Sequence, residues 1–372
     1  MRIVALLPLE SPWSRNTALW LTRLNHAVHI VDFRRSDIGY LGASPQSHAQ
    51  DIDSFQRSVA GVHLIDVPTR SSLRYSMGAI PLRKIVRDCR ADVVLSLYSG
   101  GLLLMAYVSG CRPYATYVVG SDVLRIGGFR KWLGRKMLVS ADKVFVNGLY
   151  LAERTRSLAP RANITPLYLG VDRERYSPGE PPASPVHIAC TRGFLPIYNN
   201  EYLIRALALL PEPVPDFRVS FLSSGPLLAS VRSLADKLLT ADRRGRVEFL
   251  GGVTEGRLLS ILRSSHVYVS LSRSDGTSIS TLEALACGLF PVLSDIPPNR
   301  EWVDPALGNG ILVPLDRPEE LATALARAMA DPAGRARAAE INRRLVLERA
   351  DASRNMQTLS AILEEVVQTH GT

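Results

Sequence analysis

Short apolar runs recur along the chain, each followed by a stretch whose apolar residues return at helical spacing. Residues 2–7 are apolar almost throughout and predict a buried first strand; 27–33, 62–67, 91–97, 114–119 and 143–147 predict five more. Helical periods fall at 17–24, 81–89 and 129–139. This β-then-α alternation predicts a parallel sheet covered on both faces.

The pattern breaks at 178–185, PGEPPASP, where four prolines in eight positions read as a stiff linker. It then restarts. Strands are expected at 186–191, 218–223, 247–250, 266–272 and 290–294, with helices at 201–210, 231–239, 257–263, 281–287 and 318–330, and a charged helical tail at 332–368. The fold class expected is α/β, with two Rossmann-like βαβ domains and a ligand cleft between them. Residues 1–178 form the first domain, 185–350 the second, and 351–372 a helix that packs back on the first. A chain of 372 residues suits about two cores of this kind.

Composition narrows the class. Hydrophobic residues at 46% and charged residues at 21% exclude a disordered or collagen-like chain. A net charge of +9 favours anionic partners: nucleotide phosphates, acidic lipid headgroups or nucleic acid. Cys89, Cys111, Cys190 and Cys287 show no CxxC spacing and read as free thiols of a reducing, cytoplasmic setting. Pro8 cuts the first apolar run too short for a signal segment, and no apolar run is long enough to predict a membrane span.

Candidate chemistry concentrates in 270–303, SLSRSDGTSISTLEALACGLFPVLSDIPPNREWV. It reads as strand, small polar turn, helix, strand. A helix beginning near Ser280 would present unpaired N–H groups and a positive dipole end to an anion, and Gly276 would let backbone approach it closely. Glu283 stands in the first turn, placed to accept hydrogen bonds from ligand hydroxyls. Ser280 and Glu283 also spell a capping box, which would need no ligand at all. Arg192, directly after the 186–191 strand, is either a surface arginine or a two-armed phosphate ligand.

The segment resembles the signature of the family 4 glycosyltransferases of the GT-B fold: an acid, seven residues, a Glu, then A-x-A-x-G-x-P-V. Here these are Asp275, Glu283 and the stretch 284–292, with one extra residue between Gly288 and Pro291. The resemblance implies that Asp275 contacts the donor sugar. It implies that Gly276, Thr277, Ser278, Ile279 and Ser280 hold the diphosphate, and that Glu283 takes the ribose hydroxyls. Arg192 matches the family's first phosphate cation; the Lys that usually follows is replaced near Tyr198. Gly225, in a turn after a strand, and Gly251 and Val253, in FLGGV, fall where the family lines its nucleotide site. On the acceptor side, Tyr98, Ser99 and Gly100 end a predicted strand. Ser121 and Asp122 follow in VGSD, where the family's preceding His is absent; Asp122 either orients a sugar hydroxyl or caps a turn.

The implied activity is retaining transfer of a sugar from a UDP- or GDP-sugar to an acceptor glycan, lipid-linked glycan or small molecule. Asp275, Arg192 and Asp122 are the candidate catalytic residues. No bound metal, no resident cofactor and no nucleic-acid partner are expected. Residues 129–138, FRKWLGRKML, combine four cations with apolar side chains, and fit either a peripheral contact with anionic lipid or an ordinary helix covering the sheet. A nucleotide-sugar epimerase, a glycoside phosphorylase and a non-catalytic sugar-nucleotide-binding protein are the alternatives.

Overall fold

A computed structural model describes residues 1–34, 45–67, 73–124 and 127–371. The chain divides into two compact units. One holds the segment from Met1, His48–Leu169 and Ala352–Thr372; the other holds Gly170–Asp351.

The first unit is built on a seven-stranded parallel sheet. Its strands are β1 (Arg2–Leu6), β2 (Ala27–Phe33), β3 (Gly61–Ile65), β4 (Val93–Ser96), β5 (Tyr114–Val118), β6 (Lys143–Val146) and β7 (Ile164–Pro166), in the order β3-β2-β1-β4-β5-β6-β7. β4 and β5 are buried at every position, which is why they read as unbroken apolar runs rather than alternating ones. The order reverses between β1 and β4, so the crossovers after these two strands leave in opposite directions and open a crevice at their carboxyl ends.

The second unit repeats the plan with six parallel strands. These are β8 (Val186–Cys190), β9 (Phe217–Phe221), β10 (Val247–Phe249), β11 (Val267–Ser270), β12 (Phe290–Ser294) and β13 (Ile311–Val313), in the order β10-β9-β8-β11-β12-β13. Its reversal lies between β8 and β11. Each unit has its own apolar core, from Val4, Val31, Val94 and Val118 in the first to Ile188, Val219, Val269 and Val292 in the second.

Three boundaries differ from the sequence reading. The first helix is Pro12–Arg23, beginning well before position 17, because Pro12 occupies the first helical turn, where its missing N–H costs nothing. The division between units falls at Leu169/Gly170, not 178. The stretch before the proline-rich segment packs on the second unit: Val171 bridges Asp351, Arg343 donates to Tyr176 O at 3.2 Å, and Arg263 donates to Ser177 Oγ at 2.8 Å. The tail is two helices, Pro332–Arg349 in the second unit and Ala352–Gly371 in the first. The last helix is tied down by Asn355 Nδ2 donating to Tyr168 O at 2.9 Å and by His26 Nε2 against Ser360 Oγ at 2.6 Å.

Candidate functional site

In the second unit the loops after β8 and β11 flank the reversal of strand order. They bring together the residues that the sequence singled out from two distant segments. Arg192 follows β8, and the turn 272–278 follows β11. Arg192 Nη2 donates to Asp275 Oδ2 at 2.5 Å, and Nη1 donates to Ser278 Oγ at 2.8 Å and Ser280 Oγ at 3.1 Å. The guanidinium carbon lies 4.1 Å from the centre of the Tyr198 ring, so the residue near the missing lysine position stacks on the arginine that remains. Asn200 Nδ2 fixes the loop by donating to Gly193 O at 3.1 Å.

The helix of the signature segment is Ile279–Ala286, one residue earlier than expected. Ser278 is its cap: its Oγ accepts from Thr281 N at 3.2 Å. This corrects the capping-box reading. Ser280 lies inside the first turn, where its hydroxyl is shared among Arg192, Ser278 and Tyr268. Glu283 is therefore not spent on capping. Its hydrogen-bond donor is the Tyr176 hydroxyl, from the stretch ahead of β8. Nothing local in the sequence signals the pairing of Tyr176 with Glu283.

Burial sets the electrostatics. Asp275 is lifted above the ordinary carboxylate range by burial, against the pull of Arg192 and of the Gly276 amide, which donates to its Oδ1 at 2.9 Å. Burial pushes Glu283 up to about 7, opposed by the Tyr176 hydrogen bond and reinforced by Glu255. Arg192 Nε and Thr281 Oγ1 are buried with no hydrogen-bond partner among the described residues.

The remaining candidates fall nearby or form the supporting frame. Gly276, Thr277 and Ser278 are buried in the turn, and Ile279 opens the helix. Gly225, at φ 150°, is required by packing: a Cβ there would lie 2.7 Å from Phe194 O, in the loop that carries Arg192. Gly251, at φ 68°, turns the chain after β10, and Val253 follows it half-buried. A hollow of about 370 Å3 beside the same loop is lined by Phe194, Leu195, Asn199, Leu227, Val231 and Arg273; Arg192, Asp275 and Glu283 do not line it.

In the first unit, Tyr98, Ser99 and Gly100 leave the carboxyl end of β4 at the other reversal of strand order. Tyr98 is joined there by Trp13, whose indole N–H donates to its hydroxyl at 3.0 Å with the rings edge to face at 4.9 Å. Asp32, at the end of β2, accepts from Leu9 N at 2.8 Å, and burial raises it to about 6. Neither Trp13 nor Asp32 stood out in sequence. The 8–16 stretch carries no glycine to mark a binding loop, and Asp32 lay inside an apolar strand. Ser121 and Asp122 open the short helix Ser121–Leu124, and their side chains lie outside the described residues.

Residues 180–345 match the family model of glycosyl transferases group 1. A GDP-mannose:cellobiosyl-diphosphopolyprenol alpha-mannosyltransferase of Xanthomonas oryzae is 27% identical over 156 residues, 41% of this chain and 40% of that protein. A D-inositol 3-phosphate glycosyltransferase of Saccharomonospora viridis is 30% identical over 223 residues, 55% of this chain and 51% of that protein. The matches thus span about half or less of these relatives' lengths. Among solved structures, an Anabaena protein in complex with UDP and glucose superposes with a TM-score of 0.76 at 17% identity, over 98% of this chain and 100% of that one. Residues 180–345 thus match the glycosyl transferases group 1 model, and the two parallel sheets share the GT-B fold of the solved glycosyltransferases.

Proposed function

We propose that the protein is a retaining glycosyltransferase that moves a hexose from a nucleoside-diphosphate sugar to an acceptor hydroxyl. The observation that carries this reading is the convergence of Arg192 with Asp275, Ser278 and Ser280 at a helix N-terminus, on the strand pair where the sheet order reverses. A guanidinium, small hydroxyls and the turn amides together bind a diphosphate. Glu283 then receives ribose hydroxyls, and Asp275 moves from Arg192 to the sugar as the diphosphate takes the cation. The bond from anomeric carbon to diphosphate oxygen breaks while the acceptor oxygen bonds on the same face. The acceptor proton passes to the departing phosphate oxygen. Arg192 and the helix N-terminus stabilise the charge developing on the leaving group. The donor is a co-substrate, and the reading uses no resident cofactor or metal.

GDP-mannose is the first donor to test, since the Xanthomonas relative is named for it; the UDP and glucose bound to the Anabaena structure make UDP-glucose the second. The same relative is named for a diphosphopolyprenol acceptor, which favours a lipid-linked glycan here. The helix Gly128–Ser140 supports that choice. Phe129 is 72% and Trp132 51% exposed, their rings stacked at 5.4 Å, with Lys136 Nζ 4.2 Å over Trp132. Arg130, Lys131, Arg135 and Lys136 surround them, exposed. At about 1 kcal/mol per cation near an anionic surface, four give roughly 4 kcal/mol before the rings insert. No helix among the described residues is long and apolar enough to cross a membrane.

The test is a thermal-shift series with GDP-mannose, UDP-glucose, GDP and UDP, followed by product analysis with donor alone, donor plus phosphate, and donor plus a polyprenyl-diphosphate glycan. The expected result is selective stabilisation by one donor and transfer only with the glycan acceptor. A protein that no nucleotide stabilises would defeat the reading. Sedimentation with phosphatidylglycerol vesicles, reduced in Phe129→Ala/Trp132→Ala, tests the membrane contact separately.

A further inference from the structure

In the first unit, away from any residue used above, three classical ligating side chains meet. His29 lies on β2, His63 on the edge strand β3, and Cys89 caps the carboxyl end of the helix Ala79–Asp88. His63 Nε2 is 3.5 Å from His29 Nδ1 and 3.6 Å from Cys89 Sγ, and all three atoms lie within 4.8 Å of one another. From these positions we infer that the three residues form a Zn2+ site.

Ligand spacing favours an ion over simple hydrogen bonding. With nitrogens at about 2.0–2.1 Å and a thiolate at about 2.3 Å from zinc, a tetrahedron sets its N–N edge near 3.3 Å and its N–S edge near 3.5 Å. The two short separations fall within about 0.2 Å of those edges, and the third closes by side-chain rotation. An N–H···N hydrogen bond would draw the two imidazoles to roughly 3 Å, closer than they stand.

The sheet register explains how the ligands meet. β2 and β3 pair with His29 opposite Gly61 and Val31 opposite His63, so the two histidines share a face as diagonal neighbours. Gly61 supplies the space between them: a Cβ there would lie 3.1 Å from His29 Nδ1 and 3.5 Å from His63 Nε2. All three ligands are half-buried, so water can reach a fourth coordination position. Mixed imidazole and thiolate donors suit zinc and are wrong for Mg2+ or Ca2+, which take oxygen. His29 is third of seven residues in β2, and Cys89 precedes β4. The site therefore lies toward the amino ends of the strands, opposite the end where open α/β sheets bind substrates. Its role is to clip the edge strand and the crossing helix to the sheet.

The experiment uses the full chain, reduced with a phosphine and stripped with EDTA. ZnCl2 is titrated in against a chromophoric chelator, and CoCl2 is followed by visible absorption. We expect one equivalent to bind, a thiolate-to-cobalt charge-transfer band, a rise in Tm with ZnCl2 and none with MgCl2. Cys89→Ser abolishes the band, and His63→Ala and His29→Gln each weaken zinc by more than the roughly 10–100-fold that outer-shell changes cost. Gly61→Ala weakens it with every ligand intact. Circular dichroism checks that each variant is folded; should one fail, the other three decide. Absence of stoichiometric Zn2+ binding, or variants that bind as tightly as the parent, would overturn the site.

Discussion

Glu283→Gln should make the protein more stable above neutral pH while weakening its grip on a nucleotide. Burial holds the Glu283 carboxyl at about 7, against an ordinary 4.5. Between these values the folded state keeps a proton that the unfolded state has released. Stability therefore falls as pH rises from 4.5 toward 7, the opposite of a salt-bridged carboxylate. At about 1.36 kcal/mol for each unit of separation, the loss completed by pH 8 is at most about 3 kcal/mol. Glutamine keeps an acceptor for the Tyr176 hydroxyl but does not titrate, so it removes the share of the slope that Glu283 contributes. Urea unfolding of both proteins at pH 4.5, 6, 7 and 8 reads the difference directly. Asp275, also raised by burial, is present in both and cancels.

Binding should move the other way. Only the ionised carboxylate accepts two strong hydrogen bonds from a ribose, so parent affinity for GDP or UDP rises as pH passes through 7. In Glu283→Gln that rise disappears, and affinity at pH 8 falls by about 1.5–3 kcal/mol, the worth of hydrogen bonds to a charged group. Parallel stability curves for the two proteins would refute the buried-carboxylate argument. Equal nucleotide affinities by calorimetry would remove Glu283 from the donor site whatever the stability data show.

Arg192→Lys keeps the charge but cannot reach Ser278, Ser280 and Asp275 at once; nucleoside-diphosphate affinity should drop roughly 10–100-fold by calorimetry, and an unchanged value would show that the fork is not used. Asp275→Ala should depress kcat while nucleotide affinity holds or rises, since the carboxylate no longer competes with the diphosphate for Arg192; full turnover would reject its contact with the sugar. Gly225→Ala forces a Cβ to 2.7 Å from Phe194 O at φ 150°, and should cost about 1–3 kcal/mol in urea unfolding. Trp13→Phe keeps the ring but loses the hydrogen bond to Tyr98, worth about 1 kcal/mol; acceptor KM should rise roughly fivefold with donor affinity constant in steady-state kinetics, and an equal loss of both would make the bond structural.

What the sequence made legible follows from burial. Strands covered on both faces read as near-continuous apolar runs, so β12 was placed to the residue. The same rule hid the helix Gly101–Ser109. GLLLMAYVS is apolar all round, leaving no helical period to find. β13, three residues long, is too short to signal itself. At the site, Arg192 was readable because it closely follows β8, and Asp275 because it opens the segment that resembles the family 4 signature. Tyr176 against Glu283, Trp13 against Tyr98, and His63 against His29 were not, because each pair is made by packing between segments far apart in the chain. Ser280 shows the limit of local spacing. S-x-x-E fits a capping box, but Ser278 two residues earlier competes for the cap, and the turn after β11 decides between them.

Both units place a side chain across the point where strand order reverses, and the chemistry of the two crossings differs. At β8 and β11 the bridge is ionic, Arg192 to Asp275, mostly buried. Such a pair gains little net stability, because desolvating both charges offsets their attraction. Removing either partner without replacement is costly. On the proposed function, such an arrangement is poised for exchange: an arriving dianion would supply the counter-charge that Asp275 provides, and the freed carboxylate would turn to a neutral hydroxyl. At β1 and β4 the bridge is aromatic and uncharged, Trp13 to Tyr98, and offers a flat apolar edge with a hydroxyl. That surface has no charge to trade and suits the face of a sugar ring rather than a phosphate. One sheet topology, repeated, thus offers an exchangeable charge at one crevice and a neutral platform at the other, and the difference rests on which residues follow the first strand of each unit.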